Sequence, residues 1–294
     1  MINKKRFINN RRIAVLLSTY NGSRYLSQLL DSLLNQSYTN YTIYIRDDKS
    51  SDETLSILSE YASKNDNIIL IESDCNLGSK RSFLQLLEYV KSELYMFCDQ
   101  DDVWLINKIE VSVNEYEKVR ELHTNKPIVI HTDLKLVDGN LKVISDSYWK
   151  YCGIPVDMPH QYELFCHFGD VTGCTMLFNS KARDCVLPYI YIKLPRNIYH
   201  DYLVALLTVR NNGVIVPLHQ SLILFRRHGD NETNPLSREK SVLTQIYKIV
   251  PYIKDQRKRC QFYNTFMKQS FVVFLYYKFK TKKLHSIWKK KQEL

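Results

Sequence analysis

The N-terminal third of the sequence alternates between apolar runs and amphipathic stretches, and this alternation limits the folds open to the chain. Residues 13–18 form a continuous apolar run, which is typical of a strand that is buried on both faces of a sheet. Further strands are predicted over residues 41–46, 67–71 and 94–98, with helical spacing between them. Strand–helix–strand repetition predicts right-handed crossovers, hence an α/β fold with a mostly parallel sheet and helices on both faces.

Polar residues follow three of the predicted strands, directly after each strand ends. They occupy residues 18–21 after the first strand, Asp47 and Asp48 after the second, and residues 99–102 after the fourth. Because ligands bind beyond the carboxyl ends of the strands in such sheets, these loops predict one shared site.

Asp99, Asp101 and Asp102 place three carboxylates within four residues, directly after a predicted buried strand. Like charges this close repel one another unless a cation neutralises them. Carboxylate oxygens suit Mg²⁺ or Mn²⁺, whose remaining ligands are usually water and substrate phosphate. A solvated acidic turn is the alternative interpretation, and the two neighbouring polar strand ends favour the metal site.

The loop at residues 18–22 joins the first strand to a helix, so its backbone N–H groups can accept an anionic ligand. It has neither the GxGxxG pattern nor a P-loop Lys. Dinucleotide binding and ATP hydrolysis are therefore disfavoured.

Asp47 and Asp48 have ribose hydroxyls or a base N–H as natural partners, with an ordinary acidic turn as the alternative. Ser50 and Glu53 have capping-box spacing, so neither Asp is needed to begin the next helix. That helix is predicted to turn three side chains toward the sheet: Leu55, Leu58 and Tyr61.

Two later segments add candidate catalytic residues. Asp201 lies in the first turn of a helix predicted over residues 199–209, where it can stabilise the helix dipole or act as a general base. Residues 225–231, FRRHGDN, end a predicted strand with a compact group of donors. Arg side chains clamp phosphates, and His228 can bind a metal through a neutral imidazole.

Taken in order, three motifs resemble the inverting glycosyltransferases of family 2, which have the GT-A (Rossmann-like) fold. They are VLLSTYN at residues 15–21, DDKSSD at residues 47–52 and FCDQDDVW at residues 97–104. The resemblance covers about residues 12–231. FCDQDDVW and FRRHGDN look most like bacterial rhamnosyltransferase-type members that act on surface polysaccharide.

The resemblance implies roles for nine residues. These are Thr19, Tyr20, Asn21, Asp48 and Asp99 for the nucleotide sugar, Asp101 and His228 for the metal, Gly173 for the acceptor-side loop, and Asp201 as the catalytic base. Asp99 and Asp101 match the DxD motif of the family. This chain has His200 where the family often has Glu before its catalytic Asp.

The implied reaction is a metal-dependent, inverting sugar transfer from a nucleoside-diphosphate sugar to a hydroxyl of a bacterial surface glycan, with a lipid-linked acceptor. Rhamnose from dTDP-rhamnose is the first expectation, and UDP-galactose or UDP-glucose remain open. A nucleotidyltransferase would be expected to have a basic, Gly-rich phosphate loop, which residues 18–22 lack. A non-catalytic sugar-nucleotide or glycan-binding protein is the alternative from another class.

The seven cysteines are odd in number and never spaced as CxxC, which disfavours a disulfide framework or a structural zinc site. The sequence has no run of about 18 apolar residues, as a membrane-spanning helix would need. We expect a cytoplasmic protein, peripheral on the inner face of the plasma membrane.

The positive charge is concentrated near the C-terminus. Residues 238–294 contain 15 Lys or Arg and three acidic residues, which gives this segment a net charge of +12. The whole chain has a net charge of +10, so residues 1–237 carry about −2. We therefore predict a GT-A catalytic domain over residues 1–237 and a basic, aromatic helical extension over residues 238–294. Such a mixture suits an anionic membrane surface, while a solvated appendage or an oligomer contact remains the alternative. Nucleic acid is not expected, since no recognition motif accompanies the basic residues.

Overall fold

The computed structural model describes residues 11–158, 160–169, 171–195, 198–229 and 249–292. Its first part contains β1 (Ile13–Thr19), α1 (Ser23–Leu34), β2 (Tyr41–Asp47), α2 (Thr54–Lys64), β3 (Ile68–Ile71), α3 (Ser79–Tyr89) and β4 (Leu94–Cys98). The chain continues with β5 (Val103–Trp104), α4 (Lys108–Leu122), β6 (Ile128–Val137), β7 (Val143–Ser145), α5 (Tyr148–Cys152) and α6 (Tyr162–Phe165). The last elements are β8 (Met176–Asn179), α7 (Ser180–Val186), α8 (His200–Arg210), β9 (Val214–Arg226), α9 (Ile249–Asn264) and α10 (Phe271–Gln292).

Within the described part of the chain, nine strands form one sheet in the order β3-β2-β1-β4-β8-β6-β9-β5, with β7 paired to β6. The first four strands are parallel, as the strand–helix alternation predicts. β8 runs antiparallel to both β4 and β6, so β6 points in the same direction as β4. The predicted α/β fold, with a curled sheet covered by helices, is confirmed.

β1 shows why the sheet is covered on both faces. Ala14 and Leu16 pack into one apolar layer with α3 and α8, while Val15 and Leu17 pack into the opposite layer with α1 and α4. Successive side chains of a strand point to opposite faces, so a continuous apolar run needs a helical layer on each side.

The registers of the parallel strands bring their ends together. Thr19 at the end of β1 pairs with Asp47 at the end of β2, and Leu17 pairs with Cys98 at the end of β4. β9 is parallel to β6, so Arg226 also ends at this edge of the sheet. The loops after four strands therefore converge at one edge.

The two C-terminal helices pack against the second half of this domain. Cys260, Phe262, Tyr263, Phe266 and Phe274 are buried in the apolar layer that also contains α6 and α8. No helix among the described residues is long and apolar enough to cross a membrane. The predicted boundary at residues 237/238 lies outside the described residues, so the division into two units stays a prediction.

Candidate functional site

A cavity of about 860 Å³ lies at the edge where the strands end. All nine residues that the sequence analysis singles out line it: Thr19, Tyr20, Asn21, Asp48, Asp99, Asp101, Gly173, Asp201 and His228. They come from the loops after β1, β2, β4 and β9, from the turn before β8, and from the first turn of α8. The tertiary structure thus assembles segments separated by up to about two hundred residues in the sequence.

The turn after β1 is held by residues from two other loops. Asn21 has a φ of 46°, in the left-handed region that Asn tolerates. Its side-chain oxygen accepts a hydrogen bond from the Ser51 N–H at 2.8 Å. Gln100 accepts from the Tyr20 N–H at 2.8 Å and donates to the Tyr20 carbonyl at 3.0 Å. Hydrogen bonds from the loop after β2 and from the loop after β4 therefore fix the conformation of this turn without a ligand.

Gln100 is a residue that the sequence analysis missed, although it lies between the acids of FCDQDDVW. A Cβ atom added to Gly22 would stand 2.4 Å from the Gln100 side-chain oxygen. Only glycine leaves room for the Gln100 side chain to reach Tyr20. The sequence contains no signal that pairs a Gln with a Gly that precedes it by 78 positions.

Asp47 and Asp48 are both buried and both engaged inside the protein. Asp47 accepts from the Thr19 hydroxyl at 2.9 Å and from the Ser50 N–H at 2.8 Å. Asp48 accepts from the N–H groups of Leu77 and Gly78 at 2.8 and 2.7 Å, and forms an ion pair with the buried guanidinium of Arg46. These carboxylates therefore order the donor-side wall of the cavity.

The pKa of Asp48 reflects this surrounding. Burial by itself raises the pKa, but the hydrogen bonds from Leu77, Arg46 and Gly78 outweigh it and lower the pKa below its ordinary value. Asp48 is therefore an ionised carboxylate at neutral pH, with most of its acceptor capacity already used.

Asp101 and His228 meet across the cavity floor. The His228 Nε2 lies 2.8 Å from an Asp101 carboxylate oxygen, although the two residues are 127 positions apart. Asp99 lines the same cavity. The carboxylate oxygens suit Mg²⁺ or Mn²⁺, and the imidazole nitrogen favours Mn²⁺ over Mg²⁺. The residues present thus fit a divalent cation.

Asp102 differs from its two acidic neighbours. Its side chain is fully buried, and one carboxylate oxygen accepts a hydrogen bond from the Arg226 N–H at 3.1 Å. Burial raises the pKa of Asp102 well above its usual range, and the charges of Asp101 and Asp99 raise it further. Asp102 therefore links the start of β5 to the end of β9 and is not among the described lining residues of the cavity, so of the three acids only Asp99 and Asp101 line it.

Asp99, Asp102 and Cys174 also form a close group, with one ligand atom from each within 4.8 Å of the others. Burial raises the pKa of the Cys174 thiol well above its ordinary value, and the charges of Asp102 and Asp99 add to that effect. Sulfur is a soft ligand, whereas Mg²⁺ prefers oxygen, so this group suits Mg²⁺ less well than a purely oxygen-based site does.

Asp201 also lines the cavity, from the first turn of α8. One carboxylate oxygen accepts from the Gly173 N–H at 2.9 Å, and the other accepts from the Tyr202 N–H at 2.7 Å. A Cβ atom on Gly173 would lie 3.2 Å from Asp201, so the glycine permits the close approach. The predicted base and the predicted acceptor-side loop are thus in direct contact.

His200 is the least satisfied polar residue in the described part of the cavity wall. It is 5% exposed, stacks on Phe83 at 4.0 Å and meets Phe97 edge-on at 4.6 Å. Among the described residues neither ring nitrogen has a hydrogen-bond partner. Burial, with the nearby Lys80 charge, lowers the pKa of His200 to about 3. A neutral imidazole therefore lies beside Asp201, where a Glu would have added a second negative charge.

The cavity is electrostatically unbalanced. Four carboxylates line it, from Asp48, Asp99, Asp101 and Asp201, while Arg24 is the only Lys or Arg among the described lining residues. The charge of Asp48 is offset by its ion pair with Arg46, so the remaining acidic lining comes from Asp99, Asp101 and Asp201, and these carboxylates would favour a diphosphate that arrives with a cation.

The sequence of the chain matches known proteins over its N-terminal part. Residues 14–124 match the family described as Glycosyl transferase family 2. A dTDP-rhamnosyl transferase, RfbG of Shigella flexneri, is 34% identical over 33% of this chain and 36% of its own length. The Escherichia coli UDP-Glc:alpha-D-GlcNAc-diphosphoundecaprenol beta-1,3-glucosyltransferase WfgD is 23% identical over 46% of this chain and 47% of its own. The chain thus spans half or less of the length of these relatives.

Solved structures match the fold over a longer stretch. Staphylococcus aureus TarS in complex with UDP-GlcNAc has a TM-score of 0.54 at 18% identity, covering 85% of this chain and 65% of TarS. The Pyrobaculum calidifontis mannosyltransferase PcManGT, in complex with GDP-Man and Mn²⁺, has a TM-score of 0.54 at 14% identity, covering 74% and 57%. At these identities the likeness concerns the fold alone, and it confirms the expected GT-A arrangement.

Proposed function

We propose that this chain, whose residues 14–124 belong to glycosyl transferase family 2, transfers a sugar from a nucleoside-diphosphate donor to a hydroxyl of a bacterial surface glycan. One observation carries the proposal. The Asp101–His228 pair and Asp201 line a single cavity from different elements, which suits a leaving group on one side and an acceptor hydroxyl on the other.

The donor side would hold the nucleotide sugar through Thr19, Tyr20, Asn21, Asp48 and Asp99. Asp101 and His228 would hold Mg²⁺ or Mn²⁺, which when bound neutralises the charge that grows on the diphosphate leaving group. The acidic lining of the cavity supports this assignment, because its carboxylates would favour a diphosphate that arrives with a cation. Tyr20 and Asn21 are exposed at the cavity and are available to a ligand.

The acceptor side would provide the base. Asp201 takes the proton from the acceptor hydroxyl as that oxygen forms a bond to the anomeric carbon. The bond from the anomeric carbon to the diphosphate breaks on the opposite face, so a single displacement inverts the configuration. The hydrogen bonds from the Gly173 and Tyr202 N–H groups orient the carboxylate before the reaction.

The donor sugar is proposed from the relatives. The match to RfbG supports rhamnose from dTDP-rhamnose, and the match to WfgD supports UDP-glucose, with UDP-galactose as a further possibility. The WfgD acceptor is a diphosphoundecaprenol lipid, which supports a lipid-linked acceptor here. We place the protein on the cytoplasmic face of the plasma membrane, where the basic residues 238–294 would contact anionic lipid as an extension of a catalytic domain over residues 1–237.

A non-catalytic sugar-nucleotide-binding protein is the second candidate. The observation that favours it is the state of Asp201, whose oxygens both accept backbone N–H groups, as a purely structural helix-start residue would.

Calorimetric titration of dTDP and UDP into the purified protein, with Mn²⁺ and with a chelator, tests the proposal. We expect nucleotide binding that requires Mn²⁺, and a preference between the two bases that identifies the donor class. Transfer to a lipid-linked acceptor then separates the two candidates, since the binding protein would bind the nucleotide and transfer nothing. Absence of nucleotide binding under both conditions would refute the donor site.

A further inference from the structure

The C-terminal helices bury much of the aromatic surface that the sequence offers to a membrane. Phe262, Tyr263 and Phe274 are buried against α6 and α8, so they are unavailable to lipid. Tyr276 and Phe279 remain 60% and 64% exposed on α10. Fewer aromatic residues of this extension are therefore available to a partner than the composition of residues 238–294 suggests.

The exposed apolar residues of α10 lie on one side of the helix. Successive residues of an α-helix are rotated by about 100°, so residues 272, 276, 279, 283 and 287 share an arc of about 80°. Val272 is 76% exposed and Ile287 is 45% exposed, while Phe274 and Thr281 on the opposite side are buried. We call the set Val272, Tyr276, Phe279, Lys283 and Ile287 the outer face of α10.

Basic residues border this outer face. Lys280 and Lys282 are exposed and lie on either side of the apolar arc, and Lys283 lies within it. A helix face that combines exposed apolar side chains with lysines can lie in a lipid interface, because each lysine extends its ammonium toward the headgroups while its alkyl chain lies along the apolar surface.

We propose that the outer face of α10 docks on an anionic lipid surface and holds the acceptor side of the cavity at that surface. The proposal rests on the proposed function in one respect: docking at the membrane would bring the cavity close to a lipid-linked acceptor. Charge complementarity identifies the occupant: residues 271–292 contain seven Lys and no Asp or Glu. A second copy of the chain docked on this face would bring like charges together.

The contacts of α9 and α10 connect this face to the acceptor side of the cavity. The Tyr162 hydroxyl donates to the Tyr263 carbonyl at 3.0 Å, and the hydroxyls of Tyr202 and Tyr263 lie 3.1 Å apart. Tyr202 directly follows Asp201 in the first turn of α8. His285 of α10 lies 3.0 Å from the Gly153 carbonyl. Phe274 of α10 packs against Tyr263 of α9, so a docked α10 would connect through α9 to Tyr202, the residue next to the proposed base.

Vesicle co-sedimentation of the full chain tests the docking. The probes are vesicles of phosphatidylcholine with phosphatidylglycerol, and vesicles of phosphatidylcholine alone, at low salt. We expect the protein to sediment with the anionic vesicles and much less with the neutral ones. The double variant Val272→Glu/Phe279→Glu should weaken partitioning about tenfold or more, because it removes apolar area and adds negative charge at the lipid surface.

Leu122→Glu/Tyr89→Glu is the matched control, since Leu122 and Tyr89 are 81% and 65% exposed and lie on α4 and α3. The control should sediment as the unmodified protein does. Equal losses in the two double variants, or no sedimentation of the unmodified protein with anionic vesicles, would overturn the proposal. So would a change from dimer to monomer in the Val272→Glu/Phe279→Glu variant by light scattering without any vesicle binding.

Calorimetry with nucleotide and Mn²⁺ on the same α10 variant separates this proposal from the catalytic one. Both exposed positions are remote from the described cavity lining, so nucleotide binding should persist when vesicle binding is lost. If no form of the protein binds nucleotide while vesicle binding follows the expected pattern, the proposed function fails and the docking surface stands.

Discussion

The donor side and the acceptor side of the cavity are built differently. On the donor side Asp47, Asp48, Asn21 and Gln100 are engaged in hydrogen bonds that join neighbouring loops. On the acceptor side Gly173 is held to Asp201 by one backbone bond, and His200 has two unpaired nitrogens between aromatic rings. A buried polar group without a hydrogen-bond partner costs about 1–3 kcal/mol. The ring nitrogens of His200 could therefore gain stability from a hydrogen bond to a ligand, whereas the polar groups of the donor side already have partners within the protein.

The comparison indicates a preorganised donor pocket and an acceptor side that is completed later. A nucleotide of constant shape suits a rigid pocket, while a glycan acceptor must enter and leave with each transfer.

Replacing Asp201 by Asn should have the largest effect on activity. The amide cannot take the acceptor proton, so we expect the transfer rate to fall by about 10²–10⁴-fold. Nucleotide binding in the presence of Mn²⁺ should stay unchanged, since Asp201 is on the acceptor side. Near-normal transfer by the folded variant would remove Asp201 from the mechanism.

Replacing Asp101 by Asn should act on the donor side instead. The variant loses a charged ligand of the proposed cation, so Mn²⁺-dependent nucleotide affinity should fall by roughly 10–100-fold. Calorimetry provides the measurement, with Asp74→Asn, an exposed carboxylate away from the cavity lining, as the control. If the Asp101→Asn variant binds nucleotide normally, the cation is held elsewhere or is not needed.

Replacing Gly22 by Ala should test how tightly the donor side is packed. The new methyl displaces Gln100 from Tyr20, and we expect the free energy of unfolding to fall by about 1–2 kcal/mol. Urea unfolding measures the change. In the double variant with Gln100→Ala the clash is absent, so Gly22→Ala should then cost clearly less, and equal costs in both backgrounds would contradict the packing argument.

Acid should destabilise the folded protein through the buried His200 and the partly buried His167. Burial lowers the pKa of His200 to about 3, and burial together with Arg259 and Lys278 lowers that of His167 to about 3. The folded-state pKa lies below the unfolded value of about 6.5, so the unfolded chain binds the proton more readily. The free energy of unfolding should therefore fall as the pH drops from 6.5 toward 3.

The His200→Phe variant should remove the His200 part of that slope, which is at most about 1.4 kcal/mol per pH unit. Unfolding titrations between pH 4 and pH 7 provide the test, and His219→Gln, with a side chain 61% exposed, is the control. The same slope in the His200→Phe variant and in the unmodified protein would mean that His200 is protonated in the folded state or is not buried.

Several predicted elements differ from those observed, for local reasons. The apolar residues 127–131 and 214–217 indicate two short strands, but the structure extends these strands to Val137 and Arg226. Polar residues such as Asp133 interrupt the apolar pattern, yet Asp133 is buried because it accepts hydrogen bonds from Ser147 and Trp149. Periodicity alone cannot foresee a polar strand residue whose partners lie in a later segment.

The predicted capping box at Ser50 and Glu53 is wrong. Glu53 is the N-cap residue of α2 but makes no side-chain capping bond, and the Thr54 N–H donates to the Asp52 carboxylate, which also accepts from the Ser23 N–H at the start of α1. Ser50 donates to Asp47 and accepts from Asn21, so it serves the cavity rather than the helix. α2 also turns Leu55 outward, while Leu58 is buried as predicted.

Apolar periodicity and strand-end chemistry are local properties, so the sequence is sufficient to predict the α/β alternation and the polar strand ends. The nine candidate residues follow from those strand ends together with the resemblance to family 2 glycosyltransferases, and their roles stay predictions. The burial of Asp102, the contact between Asp101 and His228, and the exposed face of α10 are visible only in the folded chain. Each of these outcomes depends on strand register or helix packing between segments far apart in the chain, and such contacts leave no local pattern.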